Sequence, residues 1–177
     1  MNEPKDIWHL KEKNERIVLV NSLEENSFEI WLARNSNPNT LLLYKEAKHC
    51  FLDECYVAAT ITFFLAIEQF LLWKNQGRNI LATINYPDSK KILNEAEVNH
   101  LITIELKQDL IEFREGCRDQ IMHPKRCDHM YLVGLAKDKN KDYFGKEGYK
   151  SVFLGPLACA ERGINLFFQV INYNRKK

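Results

Sequence analysis

The chain has almost no net charge. Its 25 lysines and arginines are offset by 24 aspartates and glutamates, leaving +1 at neutral pH. No global field recruits or repels nucleic acid, so contact with a polyanion requires a local patch. A paired-cysteine pattern is also missing. Cys50, Cys55, Cys117, Cys127 and Cys159 are odd in number and scattered, with no signal peptide ahead of them. That usage predicts a reduced, cytoplasmic protein. Internal repeats and low-complexity segments are absent, which excludes solenoids and biased linkers. Nor is there an uninterrupted apolar span. Tyr56–Trp73 approaches the roughly 20 residues of a membrane crossing, but Glu68 and Gln69 interrupt it and no basic cluster flanks it closely. It predicts a central helix, apolar nearly all round, and no membrane partner. The 177 residues suffice for one domain with a buried core.

The first 37 residues hold two short apolar runs, Arg16-Ile17-Val18-Leu19-Val20 and Phe28-Glu29-Ile30-Trp31-Leu32. A short hairpin and a pair of short helices are both open readings. Ser36-Asn37-Pro38-Asn39 is a breaker, dividing an extension (1–37) from a helical bundle (38–177). A helix follows from an Asn39 or Thr40 cap to about Leu52, with Leu41, Tyr44, Ala47, Lys48 and Phe51 on its inner stripe. Leu52-Asp53-Glu54 forms a corner at which Asp53 caps a second helix reaching about Gln76, where Gly77 ends it. Residues 78–88 are irregular, with an extended Ile80–Ile84. Asp88 or Ser89 caps a third helix through Val98. After the motif helix described next, a helical piece from Asp128 to about Lys137 leads to a charged loop, Asp138–Lys150. Gly155-Pro156 opens the last helix, Leu157 to about Tyr173, with Ala160, Ile164, Phe167, Phe168 and Ile171 buried. The sum is an all-α, up-and-down helical bundle of four to six helices.

The chemistry concentrates in Leu106–His123, LKQDLIEFREGCRDQIMH, capped by Thr103 and closed by Pro124. Leu106, Leu110, Phe113, Cys117 and Ile121 repeat at helical spacing, and Arg114 and Arg118 stand one turn apart beside them. Five positions rotate an ideal helix by about 140°, so Arg118 and His123 converge only if the helix breaks at Pro124. Each residue also has a plain structural reading. His123 can cap the helix end, Arg118 can pair with Glu115, and Asp119 can meet the imidazole or solvent. Arg114 has no acid three or four positions away, which points to a partner on another helix or to a phosphate. Glu68, inside an apolar helix, requires a buried hydrogen-bond partner. Cys117, His123, Cys127 and His129 are ligand types that zinc accepts, but their spacing is not a paired pattern, and no metal or cofactor is expected. Lys125 and Arg126, like Lys137, Lys139 and Lys141, can guide a phosphate backbone or simply face water.

Arg118-Asp119-Gln120-Ile121-Met122-His123 resembles the R-x4-6-H motif of the HEPN superfamily in its short-spacer form. A motif helix ending RDQIMHP, preceded by a helix reading CYVAATITFFLAIEQFLLW and followed by a closing helix, is similar to the HEPN bundle over roughly residues 39–175. The resemblance implies a metal-independent endoribonuclease that acts as a homodimer, with two motif helices facing across a cleft. Many relatives are toxins or antiviral effectors, and others are inactive dimerisation or partner-binding modules. Carried over residue by residue, Arg118, Asp119 and His123 form the catalytic set. Arg114, Lys125 and Arg126 are candidate RNA contacts, and Glu68 falls where many relatives carry a supporting acid. RNA and a regulatory protein are the implied partners.

Overall fold

The computed structural model describes residues 5–24, 27–76, 88–118 and 148–176. Among them every regular element is helical, and no strand occurs. The described residues form seven α-helices: α1 (Lys5–Leu23), α2 (Phe28–Asn35), α3 (Pro38–Leu52), α4 (Tyr56–Gln76), α5 (Ser89–Val98), α6 (Ile104–Phe113) and α7 (Gly148–Arg175). A π-helical turn, Arg114–Arg118, continues α6. Five of them belong to the bundle, within the four to six expected, and the other two form the N-terminal extension.

No hairpin forms there. Val20 of α1 and Phe28 and Leu32 of α2 are buried in the same core as the bundle. Burial of these residues at helical spacing outweighs the strand preference of Ile17 and Val18. Polar bonds fix the same attachment. Arg16 donates to the Tyr56 hydroxyl at 2.8 Å, the Leu52 carbonyl at 3.3 Å and the Glu54 carboxylate at 2.8 Å. The Tyr44 hydroxyl donates to Glu24, which also pairs with Lys48 at 2.7 Å. Burial, then the Glu24 carboxylate, holds the Tyr44 hydroxyl protonated well above the usual phenol range.

Helix α3 starts earlier than its sequence suggests. Asn37, not Asn39 or Thr40, is the cap, accepting from the Thr40 amide at 2.8 Å with Pro38 as first helical residue. Asp53 likewise caps the end of α3 rather than the start of α4. Glu54 then takes a left-handed φ of 66°, so the Glu54 amide bonds Phe51 and the Cys55 amide bonds Cys50 at 2.8 Å. These are the paired bonds of a Schellman ending. Helix α5 ends the same way, with His100 at φ 57° and the Leu101 amide on the Ala96 carbonyl at 2.7 Å.

Helix α4 is long and apolar enough to cross a membrane by length and composition. Here it is the central helix, packed against α3, α5 and α7. Phe63, Phe64, Ile67, Phe70 and Leu71 are fully buried along it. Helix α7 begins well before its expected start, so Pro156 lies inside it. Its inner stripe is as expected: Ala160, Ile164, Phe167, Phe168 and Ile171 are all buried. Residues 148–150, expected as loop, belong to this helix. The extended Ile80–Ile84, the piece from Asp128 to Lys137 and the rest of the charged loop lie outside the described residues.

Helices α6 and α7 run antiparallel in a fixed register. Arg162 reaches Glu112 at 3.3 Å, and Asn174 donates to the Leu101 carbonyl at 2.9 Å. Between these, Gly163 lets the helices close: an added Cβ would lie 3.0 Å from the Phe113 ring and 3.3 Å from the Phe63 Cβ.

Thr103 begins α6 as expected, accepting from the Leu106 amide at 3.1 Å. The backbone amide of Glu105, then the Thr103 side chain, holds the Glu105 carboxyl below the usual glutamate range. A lowered carboxyl value stabilises the fold above the ordinary glutamate range, and the benefit is lost as pH falls through the lowered value. Thr103→Ala should reduce stability by about 0.5–2 kcal/mol in urea titration and move Glu105 back toward an ordinary carboxylate. Carbon-13 NMR titration of the carboxyl checks the second part, and an unmoved Glu105 would contradict it.

Candidate functional site

The segment carrying the proposed chemistry starts as an ordinary amphipathic helix. Leu106, Leu110 and Phe113 face the core, as their spacing predicts. At Arg114 the hydrogen bonding changes to a π-helical turn, which runs through Gly116 and Cys117 to Arg118. Such a turn holds one residue more than an α-turn, so Arg114–Arg118 departs from the α-helical phase of the residues before it. The uninterrupted α-helix expected through this segment is therefore corrected at Arg114–Arg118.

Burial accompanies the turn. Arg114 and Cys117 are both buried, on the side of the turn that packs against α4. Arg114 is not an exposed cation: its guanidinium bonds the carboxylate of Glu115 at 3.0 Å. One partner is thus its sequence neighbour, the same acid that helical spacing offers to Arg118. Cys117 meets Cys159 of α7. The hydrogen bond they share, then burial, pushes the Cys117 thiol well above its ordinary range. The register of α6 against α7 brings them together, since Cys117 lies four residues past Phe113 and Cys159 four before Gly163.

Glu68 is buried at the centre of α4, 1% exposed. It accepts a hydrogen bond from the hydroxyl of Ser89, the first residue of α5. Asp88 caps that helix beside it, accepting from the Lys90 amide at 3.2 Å. The carboxylate thereby ties the start of α5 to the central helix. Removing it by Glu68→Leu should lower unfolding free energy by about 1.5–3 kcal/mol, the range for a hydrogen bond to a charged group. An unchanged urea midpoint would show that the fold does not need it.

Of the expected site residues, the structure places Glu68 and Arg114 in the interior, on elements that pack together, and Arg118 at the end of the π-helical turn. Asp119, His123, Lys125 and Arg126 lie outside the described residues, as do the Cys127 and His129 of the zinc reading. Among the described residues no group of three or more His, Cys, Asp or Glu side chains could hold a metal ion. Sequence reasoning missed Ser89, Cys159 and Glu115 as partners. A hydroxyl at a helix start and a cysteine on the inner face of α7 were the available signals for the first two. Compared with known proteins, the chain matches no family model, no curated protein and no solved structure.

Proposed function

We propose that the protein is a HEPN-type, metal-independent endoribonuclease that works as a homodimer, in a toxin or antiviral defence setting in the cytoplasm. The observation that carries this reading is the π-helical turn that ends at Arg118, inside an all-α bundle. π-Turns inside helices are uncommon and often fall at functional sites, because the extra residue re-aims the side chains that follow. Here the turn ends at Arg118, the first residue of the Arg118–His123 motif.

In this scheme His123 acts as general base toward a ribose 2′-hydroxyl, and its symmetry mate protonates the leaving oxygen. Arg118 grips the phosphate and offsets charge developing on it through its planar fork. Asp119 orients the imidazole, and Lys125 and Arg126 hold the flanking backbone. Arg114 contributes from behind, since its guanidinium is buried and engaged with Glu115. Glu68 supports the base of the site through its tie to α5. The products are a 2′,3′-cyclic phosphate and a 5′-hydroxyl.

A second reading, an inactive dimerisation or partner-binding module, is favoured by the same burial. Two of the expected site residues, Arg114 and Glu68, already serve structural bonds. The deciding experiment incubates purified protein with total RNA in excess chelator and maps the ends. Cuts leaving cyclic phosphate support the nuclease. Intact RNA, with a dimer confirmed by sedimentation, leaves the module.

A further inference from the structure

We propose that Cys50 and Cys55 form a redox-active dithiol that closes to a disulfide by exchange with a small-molecule disulfide such as oxidised glutathione. The pairing comes from how α3 ends. In a Schellman ending the residues at the third-last helical position and the second position beyond the cap approach each other, and their side chains commonly touch. Here those positions are Cys50 and Cys55, joined through the Cys55 amide and the Cys50 carbonyl at 2.8 Å. Glu54 supplies the left-handed residue that makes the turn, at φ 66°. A backbone bond of this kind draws the two α-carbons together, and a disulfide spans about 4.4–6.8 Å between them.

Exposure divides the roles. Cys55 is exposed and Cys50 half-buried, and neither is in a disulfide. Burial, then the neighbouring Cys55, raises the Cys50 thiol above its ordinary value. Cys55 is therefore the thiol that meets the reagent. Its thiolate attacks one sulfur of the reagent disulfide and expels one thiolate, leaving a mixed disulfide on Cys55. Cys50, as thiolate, then attacks the Cys55 sulfur and expels the second. Two protein thiols lose two protons and two electrons, and one reagent disulfide becomes two thiols. The other thiol pair, Cys117 and Cys159, is fully enclosed by the core and has no such access.

The site also has a structural neighbour that would register the change. Between the two cysteines lie the Leu52 carbonyl and the Glu54 carboxylate, both held by Arg16 of α1. Closing the bond acts on the corner that anchors the N-terminal helix. The proposal is independent of the nuclease reading.

The test equilibrates the full chain in glutathione buffers of stepped ratio, quenches it with acid and maps thiols by mass spectrometry. The expected result is an intramolecular Cys50–Cys55 disulfide with little lasting glutathione on either residue. In Cys50→Ser the resolving thiol is gone, so Cys55 should accumulate the mixed disulfide. The proposal is overturned if wild-type protein accumulates glutathione on Cys55 without closing the bond. Formation of a Cys117–Cys159 bond ahead of it, or no oxidation of Cys50 at all, would also overturn it.

Discussion

Phe167→Ala should lower the free energy of unfolding by about 3–5 kcal/mol, the range for truncating a fully buried aromatic. The ring is 0% exposed and stands at the meeting point of four helices. It stacks on Tyr44 of α3 at 4.9 Å and meets Phe168 edge-on at 5.7 Å. Phe28 of α2 and Phe63 of α4 lie at 6.4 Å. Alanine would remove the largest surface these rings share and leave a cavity. Tyr44 cannot readily move in to fill it, because its hydroxyl is bound to Glu24. In a protein of this size the loss corresponds to a fall of about 6–20 °C in Tm. Urea titration should show a lower midpoint with an unchanged slope, the mark of lost stability without a changed fold. Phe167→Leu, which keeps much of the volume, should lose clearly less. A loss under about 1 kcal/mol for the alanine variant would mean that the cluster repacks and is not the keystone of the core.

His123→Ala should reduce RNA cleavage in chelator by about 10²–10⁴-fold, the usual contribution of a positioned general acid or base. Arg118→Ala should reduce it by about 10²–10³-fold, as when one group that stabilises transition-state charge is removed. Arg118→Lys should recover little, because an ammonium keeps the charge without the planar fork. The double variant should be hardly worse than the more damaged single one, since residues that act as a unit are not additive. Cleavage by wild-type protein should follow a bell-shaped pH profile, with two imidazoles of the dimer in opposite protonation states. Thermal unfolding measured on the same samples separates lost chemistry from lost folding. Wild-type cleavage rates in either alanine variant would remove these residues from the mechanism.

Much of the scaffold was legible because local chemistry set it. Thr103 and Asp88 mark helix starts through side chains that satisfy orphan amides, and the stripe from Ala160 to Ile171 marks a buried face. The site was less legible. A period of 3.6 residues takes for granted the α-helical bonding that Arg114–Arg118 abandons, and no local residue announces the change. Burial of Arg114 and Cys117 against α4 accompanies it, and that burial exists only once the helices have packed. Glu68 showed the same division. Its need for a partner could be read from an acid in an apolar run, but Ser89 became that partner only through packing of α4 on α5.

The sequence by itself determined the helical character of the bundle, the inner stripes of α3 and α7, and the place in the chain of an arginine–histidine motif. Tertiary structure decided that the first residues join the core as helices rather than a hairpin. It also decided that the motif helix loosens into a π-turn, and that Cys117 and Cys159, far apart in the chain, meet. Caps and stripes depend on neighbours within a turn or two, which any short stretch of sequence displays. Pairings such as Cys117 with Cys159 depend on the register of two helices far apart in the chain, and only packing fixes that register.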